Sequence, residues 1–233
     1  MTTGTVLSLH RWPVKSFRGE DHDALDIDLR GVPGDRAHAV WLKGGKRATA
    51  RVVPGLLRWS ARYEDDVNGA IPAPRVIAPD GTAYGWEDPR LPTALTDDLG
   101  RDVEVVHDPA GMQDLPNSIP VTFEATRTAL AEELGEPVDL RRFRTNVHVD
   151  ADAGPWAEAG WEGGTLRIGD AELELLHPCL RCTIVARDPD TNAKSPAVLK
   201  RLIRDHGAIF GINARPRNTA TIRLGDPVTI EGA

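Results

Sequence analysis

Hydrophobic and polar residues alternate in several short stretches of the chain. Leu25–Leu29 places leucine and isoleucine on one face and aspartate on the other, and Thr5–His10 alternates in the same way. Such period-two patterning predicts half-buried β-strands. Further strands are predicted at Ala37–Leu42, Leu57–Tyr63, Arg75–Ala78, Val103–His107, Asn146–Val149, Thr165–Ile168 and Glu172–Leu176. Short strands at this spacing predict an antiparallel sheet or barrel.

Two segments of the second half show the apolar spacing of helices. Glu124–Leu134 has alanine and leucine near helical spacing, and Gly135 follows where a helix would end. Ser195 and Pro196 predict a second helix start, with Ser195 as N-cap and Pro196 at the first helical position. The apolar stripe of this helix is Val198, Leu199, Leu202 and Ile203, with Gly207 as its stop.

The composition is that of a globular protein rich in turns. Of 233 residues, 40% are hydrophobic and 27% charged, and 22 glycines and 18 prolines favour short elements over long helices. The net charge of -7 disfavours nucleic acid or an anionic membrane as partner, so any bound anion needs a local cluster of Lys and Arg. No apolar run approaches the ~20 residues that span a bilayer, and no signal peptide is expected.

The chain has two cysteines, Cys179 and Cys182, spaced C-x-x-C. A secreted disulfide framework usually has more cysteines, so the pair indicates either a reduced, cytoplasmic site or two inert buried thiols. A thiolate is a soft ligand for zinc, Cu(I), iron–sulfur centres and other soft metals. Arg181 lies next to Cys182, and a neighbouring cation favours the thiolate, although adjacent side chains of a strand point apart.

Four interpretations of this pair remain open at this point. A structural zinc site would need further ligands such as His10, His107, His148 or His177, and the sequence has no second C-x-x-C or H-x-H pair. A thioredoxin-like redox pair should begin a helix, whereas Thr183–Val185 resembles a strand. The pair could also be two core thiols, or one thiolate could bind a metal or cofactor.

The segment around the cysteines is similar to a known family signature. Arg181-Cys182, followed by Asp188-Pro189-Asp190-Thr191, resembles the R-C-x(n)-D-P-x-T signature of the MOSC family. Other segments resemble further motifs of this family in the same order along the chain: Trp12–Ser16, Gly34–Arg36, Ala48–Arg51, Arg142–Val147, Trp156–Trp161, Leu166–Asp170, Phe210–Gly211 and Leu224–Val228. Each motif alone is weak, but their common order covers nearly the whole chain.

The resemblance implies a β-rich α+β fold in two parts. Residues 1–112 are expected to form a MOSC N-terminal β-barrel-like domain. Residues 113–233 are expected to form the MOSC domain, an antiparallel β-barrel-type fold with a few short helices. The strand-rich and mixed parts of the sequence meet near Ala110–Ser118, which agrees with this division.

The resemblance also implies a molybdenum cofactor, in which molybdopterin holds molybdenum. By its position in the R-C motif, Cys182 is the expected thiolate ligand of the metal, with Cys179 as the alternative. The positions expected to bind the pterin or its phosphate are Lys15, Ser16, Arg36, Arg51, Thr126, Arg144 and Asn146. Arginine offers a planar fork of donors and lysine a mobile point charge, so both types suit such a ligand.

The family relatives include the mitochondrial amidoxime-reducing component and bacterial enzymes that reduce N-hydroxylated bases. The resemblance therefore implies an oxidoreductase that reduces hydroxylamines, amidoximes or N-hydroxylated bases. The chain lacks the cysteines of the iron–sulfur domain found in some bacterial relatives, so electrons are expected from a separate reductase or ferredoxin. The alternative is a molybdenum-cofactor carrier or sulfur-transfer protein, because molybdenum-cofactor sulfurases also contain a MOSC domain.

Other conspicuous residues have simpler expected roles. Trp156 and Trp161 are predicted to pack in the core or against loops. Asp188-Pro189-Asp190 has the composition of an ordinary turn, and Arg141-Arg142 that of a solvated charged pair.

Overall fold

The computed structural model describes residues 1–64, 67, 70–107 and 117–232. Strands dominate these residues, accompanied by the helices α1 (Leu91–Leu99), α2 (Glu124–Leu134) and α3 (Ala197–Asp205). Short 3-10 helices cover Pro54–Arg58, Leu140–Phe143, Ala157–Gly160 and Thr183–Ala186. Within the described ranges, no helix is long and apolar enough to cross a membrane.

The strands are short and follow one another closely along the chain. They are β1 (Thr2–Arg11), β2 (Glu20–His22), β3 (Ala24–Ile27), β4 (His38–Leu42), β5 (Lys46–Arg47), β6 (Ser60–Arg62), β7 (Arg75–Ile77), β8 (Ala83–Gly85), β9 (Val103–His107), β10 (Ile119–Phe123), β11 (Val147–Ala151), β12 (Thr165–Ile168), β13 (Ala171–Leu180), β14 (Ile209–Pro216), β15 (Ala220–Arg223) and β16 (Pro227–Glu231).

Seven strands close into a barrel, which confirms the predicted β-rich, barrel-type fold. Their order is β1-β11-β10-β14-β13-β12-β16, and β16 pairs back with β1. Every neighbouring pair is antiparallel except β10–β11, which is parallel. Closure leaves the barrel strands without an open edge. The interior is filled by alternating residues such as Leu166, Ile168 and Leu173, each fully buried.

The N-terminal half surrounds a second hydrophobic core. Two small sheets, β5-β4-β9 and β6-β7-β8, pack with α1 around side chains that include Phe17 and Trp59. β1 and β3 leave this half to pair with strands of the other half, β1 with β11 and β16 and β3 with β15. The division at residues 112 and 113 stays a prediction, because that boundary falls outside the described residues.

The predicted helices are present, with corrections at the second. α2 has the predicted bounds, and Gly135 ends it in the left-handed conformation. α3 begins at Ala197 with Pro196 as its N-cap, and the Ser195 side chain does not cap it. Ile203 is 59% exposed, so it does not belong to the buried stripe. The sequence pattern did not predict α1, β10 or β14.

The strand predicted at Leu57–Tyr63 is shorter than expected. Leu57 and Arg58 belong to a 3-10 helix that begins at Pro54, a residue that suits a helix start. The strand itself covers only Ser60–Arg62. Local alternation therefore located this strand but not its beginning.

Gly211 marks a close approach between β14 and β10. Its φ is +79°, and a Cβ atom there would lie 2.4 Å from the carbonyl oxygen of Val121. Its N–H donates to the carboxylate of Glu158 at 3.2 Å. Glu158 is 1% exposed and also accepts a hydrogen bond from the Thr126 hydroxyl at 2.8 Å. Burial raises the pKa of Glu158, while these hydrogen bonds oppose the rise.

His38, the first residue of β4, is completely buried. Its ring stacks on that of His107 with 4.3 Å between centroids, and its Nδ1 lies 3.3 Å from the Tyr63 hydroxyl oxygen. Its carbonyl oxygen accepts the N–H of Lys15 at 2.8 Å. Burial, helped by the charge of His107, lowers the pKa of His38 to about 3. The main chain of His38, and not its imidazole, therefore holds the backbone at Lys15.

We expect the free energy of unfolding to fall as the pH drops from 6.5 towards about 3. In that window an unfolded histidine binds a proton, whereas folded His38 does not. One such group contributes at most about 1.4 kcal/mol per pH unit. Urea unfolding over the upper part of this window measures the slope, and His38→Phe should reduce it. Buried His148 adds a slope of the same sign, so only the difference between the two proteins tests His38. Equal slopes would contradict this account.

Candidate functional site

A cleft of about 320 Å³ lies where the N-terminal half meets the barrel. Its polar lining consists of lysine, arginine, histidine, serine, asparagine and cysteine side chains, and no described lining residue carries a carboxylate. These polar lining residues are Lys15, Ser16, Arg36, Ser118, Arg142, Arg144, His177, Cys179, Arg181, Cys182 and Asn213. Six of the residues predicted from the sequence thus meet in one place: Lys15, Ser16, Arg36, Arg144, Cys179 and Cys182.

The two cysteines reach the cleft where β13 becomes irregular. The register of β13 against β14 shifts before Pro178 and again before Leu180, and such irregularities re-aim side chains. Cys179 is 6% exposed, whereas Cys182 is half-buried at the N-cap of a 3-10 helix. The cysteines are not joined by a disulfide.

The strand expected after Cys182 is wrong, because Thr183–Ala186 is a 3-10 helix. This helix covers only 4 residues. A thioredoxin-like pair should sit at the start of a helix that follows a strand. Only one short 3-10 turn follows the cysteines here, which does not support a thioredoxin-like pair.

A structural zinc site finds no support among the described residues. The group of His, Cys, Asp and Glu side chains that lie close enough to hold a metal is Glu133, Asp205 and His206, which includes neither cysteine. Arg201 pairs with both acidic members of that group, at 3.9 Å and 3.0 Å. These carboxylates are therefore already neutralised.

Arg181 anchors the loop between the two cysteines. Its Nε donates to the carbonyl oxygen of Phe210 at 2.8 Å, and its Nη1 donates to that of Phe143 at 2.9 Å. Burial lowers the pKa of Arg181, and the charges of Cys179 and Cys182 oppose that shift. The guanidinium is thus fixed within electrostatic reach of both thiols.

Lys15 and Ser16 lie in the tight loop that follows β1. Ser16 is buried and adopts a φ of +72°, a conformation rarely taken by residues other than glycine. Its hydroxyl oxygen accepts the N–H of Ala50 at 3.0 Å. The predicted K-S and T-A-R segments are therefore in direct contact.

A buried polar junction joins the N-terminal half to the barrel. The guanidinium of Arg36 forms an ion pair with Asp35 and donates to the side-chain oxygen of Asn146 at 3.2 Å and to the carbonyl oxygen of Arg144 at 2.7 Å. Asp35 accepts the N–H of Trp12 at 2.8 Å and the Asn146 amide at 3.0 Å. Asp35, Arg36 and Asn146 are at most 5% exposed. We call these three residues the junction.

Arg144 links the junction to the loop after β1. Its Nη1 donates to the carbonyl oxygen of Phe17 at 2.6 Å, and its guanidinium carbon lies 4.3 Å from the centroid of the Trp12 ring. Ser16, Arg36 and Arg144 all have positive φ, at 72°, 51° and 52°. Such strained residues tend to cluster at ligand sites, so their convergence here supports a binding role for the cleft.

Three predicted cofactor residues do not line the cleft. Asn146 lies behind it, where it supports Arg36. Arg51 is exposed and lies outside the lining. Thr126 is fully buried, and its hydroxyl donates to Glu158 and accepts the N–H of Trp156 at 2.9 Å. Both partners of this hydroxyl, Glu158 and Trp156, lie outside the cleft lining.

Sequence reasoning gave no weight to several lining residues. Arg142 was expected to be solvated, but it donates to the carbonyl oxygens of Arg187 at 2.5 Å and Val185 at 3.3 Å. Ser118 immediately precedes β10, and Asn213 lies in β14, the strand that pairs with β10. No local motif marked either residue. The sequence signal that could have found Asn213 is its place near the Phe210-Gly211 motif.

The two tryptophans and the Asp188-Pro189-Asp190 turn behave as predicted, whereas Arg142 does not. Trp161 packs edge-on against Phe123 at 4.9 Å, and Trp156 stacks on His206 at 3.5 Å. Asp188 accepts the N–H groups of Asp190 and Thr191, as in an ordinary turn.

Comparison with known families decides the relationship of the chain. Residues 3–82 match the MOSC N-terminal beta barrel domain, and residues 119–229 match the MOSC domain. The chain belongs to the MOSC family. The predicted resemblance is confirmed, and the matched segments together contain both cysteines and all the cationic residues of the cleft.

Relatives of this MOSC protein include two mitochondrial amidoxime-reducing components and a molybdenum cofactor sulfurase. It is 28% identical to mitochondrial amidoxime-reducing component 1 of Homo sapiens over 98% of this chain and 83% of the relative. It is 25% identical to mitochondrial amidoxime reducing component 2 of Bos taurus over 97% of this chain and 82% of that protein. A molybdenum cofactor sulfurase of Drosophila grimshawi is 34% identical, over 42% of this chain and 13% of the sulfurase.

A solved structure shares the fold. The YUAD protein from Bacillus subtilis superposes with a TM-score of 0.53 at 19% sequence identity, covering 99% of this chain and 97% of that one. At this identity the similarity concerns the fold alone.

We expect Asp35→Ala to destabilise the protein by about 3–5 kcal/mol, because it leaves the Arg36 guanidinium buried without its carboxylate. Urea unfolding at neutral pH measures the loss. Asp28→Ala is the matched control, since Asp28 pairs with the half-exposed Arg30 and such pairs contribute about 0–1 kcal/mol. Similar losses of unfolding free energy in both variants would show that the Asp35–Arg36 pair stabilises the protein no more than the half-exposed Asp28–Arg30 pair.

Proposed function

We propose that this MOSC protein binds a molybdenum cofactor in the cleft and reduces N-hydroxylated small molecules. The observation that supports this most directly is the meeting of the half-buried Cys182 with Lys15, Arg36 and Arg144 in one cleft. A soft thiolate ligand beside a cationic, carboxylate-free wall suits a soft metal on an anionic organic carrier. If bound, the cofactor would supply the redox and oxygen-transfer chemistry.

We assign proposed roles to six of the cleft residues. Cys182 binds the metal through its sulfur, with Cys179 as the alternative, because Cys182 is the more exposed of the two. Lys15 and Ser16 bind the phosphate, and Arg36 and Arg144 bind the pterin or phosphate through their planar donors. Asn146 acts indirectly by orienting Arg36. We leave Arg51 and Thr126 out of this set because neither lines the cleft.

The relatives support a reductase in particular. Two of them are named as amidoxime-reducing components and align with nearly the whole chain. The proposed substrates are therefore hydroxylamines, amidoximes and N-hydroxylated bases. The described residues hold no cluster of cysteines for iron–sulfur ligation, and we propose a separate reductase or ferredoxin as electron donor. A compartment that keeps thiols reduced, such as the cytoplasm, suits two cysteines that are not joined by a disulfide.

A cofactor carrier or sulfur-transfer protein is the second candidate. The match to a molybdenum cofactor sulfurase and the presence of two thiols in one cleft favour it. In that case Cys179 or Cys182 would carry transferable sulfur, and the protein would bind the cofactor without reductive turnover.

The two candidates predict different outcomes in one assay. Protein made in cells that synthesise the cofactor is mixed with a chemically reduced viologen dye and an aromatic amidoxime. We expect amidoxime-dependent oxidation of the dye, with formation of the amidine. Loss of the metal ligand in Cys182→Ala should lower the rate at least about 100-fold, since even residues behind metal ligands cost about 10–100-fold.

Cys179→Ala is the matched control. It should keep most of the activity if Cys182 is the ligand, and an equal loss in both variants would contradict that choice. A wild-type protein that contains molybdenum but does not turn over any hydroxylamine, amidoxime or N-hydroxylated base would contradict the reductase and favour the carrier.

A further inference from the structure

A second pocket of about 250 Å³ opens beside the cleft. It shares Arg142, Arg144 and Ile184 with the cleft, so the two spaces adjoin. Its other lining residues come from both halves of the chain: Trp12, Arg18, Gly19, Glu20, Asp21, Leu57, Ser60, Arg141, Arg187 and Pro189. The proposed function assigns no ligand to this second pocket.

Guanidinium groups dominate the charge of this second pocket. Five arginines line it, in a protein whose net charge is -7. Its two lining carboxylates contact residues outside the pocket, Glu20 with Arg11 at 2.7 Å and Asp21 with His10 at 2.7 Å, and they offset at most two of the five positive charges. The lining is therefore a local cationic surface, which an acidic protein needs in order to hold an anion.

Nearby aspartates neutralise only part of this charge. Arg141 pairs with Asp139 at 2.6 Å and with Asp190 at 2.8 Å. Arg142 lies 3.5 Å from Asp188. Together with the hydrogen bond from Arg141, the charge of Arg18 lowers the pKa of Asp190, but Arg18 forms no ion pair with a described carboxylate. Arg187 also forms no ion pair with a described carboxylate.

Arg18 and Arg187 are held in place by main-chain oxygens. Arg18 donates through Nε to the carbonyl of Leu57 at 3.1 Å and through Nη2 to that of Asp190 at 2.6 Å. Arg187 donates through Nη1 to the carbonyl of Asn192 at 3.2 Å. Carbonyl partners fix the orientation of a guanidinium without cancelling its charge. Such prior ordering reduces the entropy cost of binding a ligand.

The remaining walls suit a small organic ligand. Trp12, Leu57, Ile184 and Pro189 give the pocket an apolar side. Arg18 and Arg187 are half-buried, as expected for a pocket that encloses its ligand. Planar guanidinium forks match the oxygens of a phosphate, and several can bind one phosphate together.

We propose that this second pocket is an anion subsite that binds the phosphate monoester of a small organic molecule lying next to the cleft. Arg18 and Arg187 bind the phosphate, and the apolar wall contacts the organic part. The subsite is distinct from the cofactor cleft, because neither arginine lines that cleft.

Calorimetric titration with phenyl phosphate tests this proposal, first on the protein without cofactor. We expect binding that weakens at least about tenfold in Arg187→Gln, since one charge-assisted hydrogen bond contributes that much. Arg18→Gln should weaken it similarly. The side chain of Arg187 forms a single hydrogen bond, so Arg187→Gln should fold normally. The midpoint of its urea unfolding checks this. Arg30→Gln, at a distant half-exposed ion pair, should bind like wild type.

The cleft could also bind phenyl phosphate through Lys15 when the cofactor is absent, so the titration is repeated on Lys15→Gln protein. On that background Arg187→Gln should still weaken binding at least about tenfold, because Arg187 lines only the second pocket. Absence of binding, or binding that Arg187→Gln leaves unchanged, would overturn the proposal. Protein loaded with cofactor should still bind phenyl phosphate. Loss of binding there would assign the pocket to the cofactor's own phosphate and would also overturn it. Failure to load the cofactor would count against the proposed function but leave the first titration valid.

Discussion

The cleft depends on one buried ion pair, that of Asp35 with Arg36. Desolvation of two charges is costly unless each finds further hydrogen bonds. Here Asp35 accepts N–H groups from Trp12 and Asn146, and Arg36 donates to Asn146 and to the carbonyl of Arg144. These partners come from both halves of the chain, so satisfying the pair requires the two halves to meet in one arrangement.

That arrangement brings cations and thiols to a common space. The junction holds Arg144 against Trp12, and the loop after β1 presents Lys15 and Ser16 from the same side. The irregular end of β13 brings the cysteine segment from the other side. The barrel half supplies the thiols together with Arg142, Arg144 and Arg181, and the N-terminal half adds Lys15, Ser16 and Arg36, so the complete cleft lining forms only where the halves meet.

Local sequence identified much of the fold and the core of the candidate site. The resemblance of Trp12–Ser16, Gly34–Arg36 and Arg181-Cys182 to family motifs pointed to Lys15, Arg36 and Cys182, which line one cleft. The surroundings of Arg142 and Thr126 could not be predicted from local sequence, because they come from distant segments. Arg142 is tied to the backbone that follows Cys182, and Thr126 is enclosed by Glu158 and Trp156. Such tertiary contacts have no signature in local periodicity.

The most direct test of the central claim, that Cys182 and the cationic cleft hold a molybdenum cofactor, is the molybdenum content per chain. Wild type, Cys182→Ala and Cys179→Ala are purified from cells that make the cofactor and compared by mass spectrometry of the metal. The account predicts that molybdenum copurifies with wild type and with Cys179→Ala and is lost in Cys182→Ala. Equal molybdenum in wild type and Cys182→Ala would contradict it.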